Sequence, residues 1–284
     1  MHSLGLDIAD RRVTGVVVDG DGAVVRRAQR AGADASQDAV AELAAGLTID
    51  AFGYATEAVA GEIAGLARTG LQNPKRCSPG AAAVVAEHWI GAARGARHAV
   101  CLLIGERVLA GILLDGAPWA GAHGLAGSAA WLALNPVERQ DYRKFGSFAA
   151  EVSNLGIAHR LAWRIQAGDD SDVLERAGNL ESITAIHVFD GARRGDGVAN
   201  SVVRDTARYI AMAVVNLAAA IDPEVVVLGG EVAAAGDLLI EPVRQECARR
   251  LPPGMVEQFR LEISPLSDDG VAIGAARLAA LARA

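Results

Sequence analysis

Apolar and polar positions alternate from the first residues of the chain. Leu4 to Ile8 reads as a short strand and Arg12 to Val18 as a second. Gly20-Asp21-Gly22 then turns into a third over Ala23 to Gln29. Ser36 to Leu47 follows a helical period, with Ser36 or Asp34 placed to cap it, and Ile49 to Ala55 returns to a strand. Glu57 to Ala67 reads as a helix or a short crossover. Ser78-Pro79 opens a helix to about Ala93, since a capping serine followed by a proline with helix-ready φ is a good start signal. Ala99 to Ile104 is a buried strand, Gly105 a turn and Val108 to Leu114 another strand, and Asp115-Gly116 is the pair that closes a hairpin. The downstream half reads as helices over Phe148 to Ile165, Asp172 to Ala177, Ser182 to Arg193 and about Val198 to Ala220. Ile221-Asp222-Pro223-Glu224 breaks the last of these. Val225 to Leu228 is a buried strand, Leu238 to Arg250 a helix and Leu261 to Ile263 a final strand, before Asp268-Asp269-Gly270 opens the C-terminal helix.

At 284 residues the pattern fills one large domain or two medium ones. With 51% hydrophobic residues and 4% aromatics, the core must be built from Ala, Val, Leu and Ile. A net charge of −7 without clustered Lys and Arg argues against a nucleic-acid-binding surface. No apolar run reaches the roughly 20 residues of a membrane span, and the N-terminus enters a strand pattern with no signal peptide. Cys77, Cys101 and Cys247 are far apart and share no ligand spacing, which suggests a reducing compartment, with Cys101 as a small core residue. The expected location is cytoplasmic.

The stretches able to carry chemistry are the glycine loops between these elements. From His98 to Trp131 the chain runs strand, glycine turn, strand ending in Asp-Gly, and the loop Gly121-Ala122-His123-Gly124-Leu125-Ala126-Gly127. Further on stands Asp222-Pro223-Glu224-Val225-Val226-Val227-Leu228-Gly229-Gly230. This order of motifs resembles the ROK family (repressors, open reading frames and kinases), and the resemblance covers nearly the entire chain. It implies an α/β actin-like ATPase (ribonuclease H-like) duplicated fold, with two α/β domains around a central cleft. Residues 1–95 would form the smaller domain, with the C-terminal helix at about 270–284 packing back on it, and 96–269 the larger. Homodimerisation is expected on the same ground. With no N-terminal helix-turn-helix, the DNA-binding branch of the family is not expected.

The resemblance also shows where this chain departs. The family's Asp-x-Gly-Gly-Thr-Lys-like phosphate loop matches Asp7-Ile8-Ala9-Asp10-Arg11-Arg12, which keeps only Asp7. A Cβ at Ala9 blocks close backbone approach, and the Asp10 carboxylate repels phosphate. Asp7 itself reads equally well as a turn-stabilising carboxylate at a strand end. The segment between Ala55 and Cys77 is shorter than the family's, so a wall of the sugar site is expected to be missing. In the family motif Asn-Asp-x-Asn-Ala-Ala-Ala the Asp is the base that deprotonates the sugar hydroxyl, and its position here is Ser78, within Cys77-Ser78-Pro79-Gly80-Ala81-Ala82-Ala83. A serine hydroxyl is no general base near neutral pH without a partner, whereas it is a good helix cap.

The second phosphate turn, Gly-Thr-Gly-x-Gly-Gly-Gly in the family, matches Gly105-Glu106-Arg107-Val108-Leu109-Ala110-Gly111, without the hydroxyl and middle glycines that cradle phosphate. His123 falls where the family often has Asn. Ser128 stands at the sugar-binding Glu, and Trp131 at the metal- or sugar-binding His. His123 either contacts a ligand or braces its loop; Trp131 either stacks on a ring or enters the core. The family's zinc segment matches Tyr142 to Ala149, with Ser147 at the last ligand and Ala149 at a sugar-contacting Glu, so no structural zinc is expected. Gly229 and Gly230 keep the turn that lies against adenosine in the family. Glu231, in place of a small residue, either faces a ribose hydroxyl or obstructs the base.

Two functions from different classes follow. The first is a ROK-like protein that has lost sugar-kinase activity and acts as a ligand-binding, regulatory or partner protein, with a sugar as one possible ligand. The second is a divergent ATP-dependent sugar kinase using ATP and Mg2+, in which Glu106 or Glu57 substitutes for the missing base. An oligomeric scaffold is a third reading, in which the family interface outlives the site.

Overall fold

The computed structural model describes residues 1–32, 34–57, 71 and 73–283. The first elements are β1 (Ser3–Ile8), β2 (Val13–Val18), β3 (Val24–Arg30), α1 (Ala35–Ala44), β4 (Ala51–Ala55), β5 (Lys75–Cys77) and α2 (Pro79–Ile90). They are followed by β6 (Ala99–Ile104), β7 (Val108–Leu114), β8 (Ala117–Pro118), α3 (Gln140–Phe145), α4 (Ser147–Val152) and α5 (Asn154–Gln166). The remainder is α6 (Asp172–Ala177), α7 (Ala185–Arg193), α8 (Gly197–Ile221), β9 (Val225–Gly229), α9 (Gly236–Ala248), α10 (Pro253–Val256), β10 (Arg260–Ile263) and α11 (Gly270–Leu281). The helix or crossover expected over Glu57 to Ala67 lies, from residue 58 on, outside the described residues.

The strands form two mixed five-stranded sheets, ordered β3-β2-β1-β4-β5 and β10-β9-β6-β7-β8. In the first, β1 pairs antiparallel with β2 and parallel with β4, which pairs parallel with β5. In the second, β9 and β10 run parallel, while β7 and β8 are antiparallel. Asp115 and Gly116, with φ of 52° and 78°, make the two-residue turn between β7 and β8, as an Asp-Gly pair favours.

The chain divides into two compact units. One comprises Met1–Cys101, Gly111–Ala126 and Pro265–Ala284, and the other Leu102–Ala110 and Gly127–Ser264. In the first unit, period-two alternation in β1 sends Leu4 and Leu6 to one face, where they meet Val13, Val17 and Phe52 and the α1 residues Ala39, Val40 and Leu43. Val16 and Val18 face the other way, against Ala86 of α2 and Ala272, Ile273 and Ala276 of α11. That second face is possible only because Gly5 and Gly53, partners in the β1–β4 register, carry no side chain. A Cβ would lie 1.9 Å from the Ala272 carbonyl oxygen at Gly5, and 2.1 Å from that of Ala275 at Gly53.

In the second unit, α8 starts at Asp196, whose side chain accepts from Ala199 N–H at 2.7 Å, and ends on Asp222 in the left-handed region (φ 52°) just before Pro223. The single helix expected over Phe148 to Ile165 is two helices. Ser153 is extended, its hydroxyl accepts from Gly156 N–H at 3.1 Å, and it thereby ends α4 and caps α5. Of the two expected caps of α1, Asp34 holds the N-cap position, though its side chain makes no capping bond, and Ser36 is buried inside the helix. Among the described residues, no helix is long and apolar enough to cross a membrane.

Candidate functional site

The second unit brings together three segments distant in sequence. Gly105 and Glu106 follow β6, Gly230 and Glu231 follow β9, and Asn154 is the first residue of α5. Gly230 takes φ 79°, and a Cβ there would sit 2.6 Å from the Ile104 carbonyl oxygen, so the two turns touch through their backbones. The Glu231 carboxylate then crosses to the other turn. It accepts from the backbone N–H of Glu106 at 3.0 Å and from the side-chain amide of Asn154. Asn154 in turn donates its backbone N–H to the Gly105 carbonyl at 3.0 Å. The Gly105 N–H donates to the Arg107 carbonyl, also at 3.0 Å. Both backbone donors at the head of this turn are therefore satisfied within the chain, and one of them by an anion.

This arrangement bears on nucleotide. A phosphate-binding turn needs N–H groups aimed outward at an incoming anion. Here a carboxylate fills that role, so the turn does not fit a phosphate group. Asn154 was not singled out in the sequence. Its signal there is faint, a polar residue just behind a capping serine.

Adjacent to this cluster lies a buried charge network that sequence reasoning also missed. Glu151, 4% exposed within α4, accepts hydrogen bonds from the Tyr142 hydroxyl and, at 3.0 Å, from Arg139. Arg160 pairs with it at 3.1 Å. Burial, and then the bond to the Glu151 carboxylate, push the Tyr142 phenol up to about 12. Burial pulls the Arg160 guanidinium down from its ordinary value, against the charge of Glu151. Tyr142 also opens the segment, Tyr142 to Ala149, that the resemblance matched to a zinc site. The polar side chains of that segment are a phenol, the Arg143 guanidinium, the Lys144 ammonium and the Ser147 hydroxyl, with no thiol or imidazole to fit zinc. Among the described residues, no three His, Cys, Asp or Glu side chains converge to hold a metal ion.

Ser128 and Trp131 share one short turn. Ser128 precedes a 3-10 turn over Ala129–Trp131, which leans on Gly146 at the α3–α4 junction. Trp131 is 59% exposed, so the alternative that it enters the core is excluded. Leu134, three residues on, is buried instead.

The first unit holds the other candidates. Asp7 is 7% exposed near the end of β1, beside Ala55 of β4, and Ala55 pairs with Cys77 of β5. Because β1, β4 and β5 are parallel, Asp7 and Ser78 lie toward the same, C-terminal, edge of the sheet, where open α/β sheets place their ligands. The Cys77 thiol is pushed up to about 12 by burial and then by the negative charge of Asp7, which keeps it protonated and unreactive. The loop after Asp7 is closed on itself by a bond from Ala9 N–H to the Arg12 carbonyl at 3.0 Å, with Asp10 exposed. The Ser78 hydroxyl accepts from Ala81 N–H at 3.2 Å and caps α2, with Pro79 at its first position. His123 is exposed in a loop between Gly121 and Gly124, both at positive φ.

A family model described as "ROK family" matches residues 69–282. A glucokinase of Thermotoga maritima is 29% identical over 196 residues, covering 69% of this chain and 62% of the relative. A bifunctional enzyme NanE/NanK of Brucella melitensis biotype 1 is 33% identical over 202 residues, 70% of this chain but 34% of the relative. The match thus spans about three fifths of the length of the glucokinase and a third of that of the bifunctional enzyme. Among solved structures, a ROK family glucokinase from Streptomyces griseus in complex with glucose and AMPPNP superposes with a TM-score of 0.86. It is 24% identical, and the superposition covers 99% of this chain and 100% of the other, which establishes the duplicated actin-like ATPase fold.

Proposed function

Because this chain belongs to the ROK family, we propose that it is a member without sugar-kinase activity, acting as a ligand-binding, regulatory or partner protein. The observation that carries this reading is the state of Ser78. At the position of the family's base it offers a hydroxyl, and that hydroxyl is engaged in capping α2. A positioned general base contributes roughly 10²–10⁴ in rate, and a capping serine cannot replace it. The turn at Gly105 and Glu106 supports the same reading, since its donors are satisfied internally. So do Ser128 and Ala149, neither of which can grip a sugar hydroxyl as a carboxylate would.

A sugar ligand, a homodimer and a cytoplasmic setting belong to this reading. His123, Ser128 and Trp131 are its candidate ligand contacts, and all three are exposed. The test is release of ADP from ATP and Mg2+ by the purified protein across a panel of hexoses and amino sugars. The expected rate equals that without sugar; robust hexose-dependent release overturns the proposal.

The second reading, a divergent ATP-dependent sugar kinase, is favoured by two observations. Asp7 is retained and buried at its strand end, and the relatives include glucokinases. Glu57 or Glu106, both exposed, would then have to supply the base.

A further inference from the structure

We propose that the Glu231 carboxylate is a tethered anion that occupies the donors of the Gly105-Glu106 turn and keeps phosphate groups out of it. The inference rests on the loss of kinase chemistry proposed above and names the residue that enforces it at this turn. Three observations carry it. The carboxylate is held at once by the Glu106 backbone N–H, at 3.0 Å, and by the Asn154 amide, two donors from segments about 50 residues apart in the chain. It also packs against the bare face of Gly105, where an added Cβ would lie 3.0 Å from its Oε2 and 3.2 Å from its Cβ. Gly230, at φ 79° and pressed to the Ile104 backbone, fixes the direction in which Glu231 leaves its turn. Backbone and side chain therefore agree on one position for the anion. It lies beside the first residue of α5, where the helix dipole favours negative charge.

A carboxylate and a phosphate oxygen accept from the same donors, so only one of them can be bound there. The attached one has the advantage of high effective concentration. Removing it leaves the Glu106 N–H and the Asn154 amide converging on a vacated position, which is the donor set of an anion site.

The experiment follows the Glu106 amide resonance by ¹⁵N NMR while inorganic phosphate, and separately pyrophosphate, is added to wild type and to Glu231→Ala. Phosphate is expected to move this amide saturably in E231A at a concentration at least about tenfold lower than any response of the wild type, the equivalent of one charge-assisted hydrogen bond. Should E231A not fold, Glu231→Gln keeps the size and removes the charge, and is expected to respond at a lower phosphate concentration than the wild type. A wild-type Glu106 amide that responds as readily as the variants overturns the proposal, as does a folded E231A or E231Q that ignores both anions. The two claims separate cleanly. Silence of the variants leaves the loss of kinase activity standing, whereas hexose-dependent ADP release by a wild type whose Glu106 amide is unmoved by phosphate overturns only that loss.

Discussion

Gly5 and Gly53 of the first unit press against the backbone of α11, whereas Gly105 of the second rests less tightly against Glu231, its carboxylate foremost. In the first case the opposing atoms are carbonyl oxygens of a packed helix, at 1.9 and 2.1 Å from a notional Cβ, and neither helix nor sheet can yield separately. In the second, a notional Cβ would meet the Glu231 carboxylate at 3.0 Å and, at 3.2 Å, both its Cβ and its backbone nitrogen, contacts that a small shift relieves. One contact belongs to the scaffold and the other is a filling of the site. The lesson is that tight backbone-to-backbone contacts hold a fold more rigidly than contacts that can relax by a small shift.

The largest expected effect belongs to the buried charge network of the second unit. Glu151→Ala leaves the largely buried Arg160 without its carboxylate and should cost about 3–5 kcal/mol, read from the urea midpoint. A cost under ~1 kcal/mol would mean the network is ornamental. Next comes Gly5→Ala, which drives a Cβ into the Ala272 carbonyl and should cost ~3 kcal/mol. Full stability in that variant would break the distinction between the two kinds of glycine contact.

The Tyr142 phenol sharpens the picture of the second unit through pH. Its folded value of about 12 stands above the ~10 of an unfolded tyrosine, so its contribution to stability is fully present below pH ~10. That contribution is lost as pH rises through about 12. Absorbance at 295 nm should show one of the three tyrosines ionising late, and Tyr142→Phe should abolish that phase. The smallest effect belongs to Gly105→Ala. Because its added Cβ meets Glu231 at 3.0–3.2 Å rather than a carbonyl at 1.9 Å, the loss should stay below about 1 kcal/mol, in contrast to that of Gly5→Ala.

Much of the scaffold was legible in the sequence because it obeys local rules. The alternation in β1 and β2, the Ser78-Pro79 helix start, the Asp115-Gly116 turn and the Asp222-Pro223 stop each act within a few residues. The break at Ser153 was not legible, since a serine within an apolar helical period is as compatible with continuing the helix as with capping a new one. Trp131 illustrates another limit: residue type favours burial, yet the turn it ends leaves it at the surface. For the candidate site, the expected departures at Ser78, Ser128 and the two glycine turns could be read as residue types at the positions the resemblance matches. The contacts these turns make could not. The bonds from Glu106 and Asn154 to Glu231 span 125 and 77 residues, and the Arg139-Tyr142-Glu151-Arg160 network takes its sense from packing alone.

The central claim is that this chain keeps the ROK scaffold without its handling of nucleotide phosphate. Its most direct test is calorimetric titration of ATP with Mg2+ into the wild-type protein at millimolar concentration. The account predicts heats no larger than those of dilution. Saturable binding with a stoichiometry near one would contradict it.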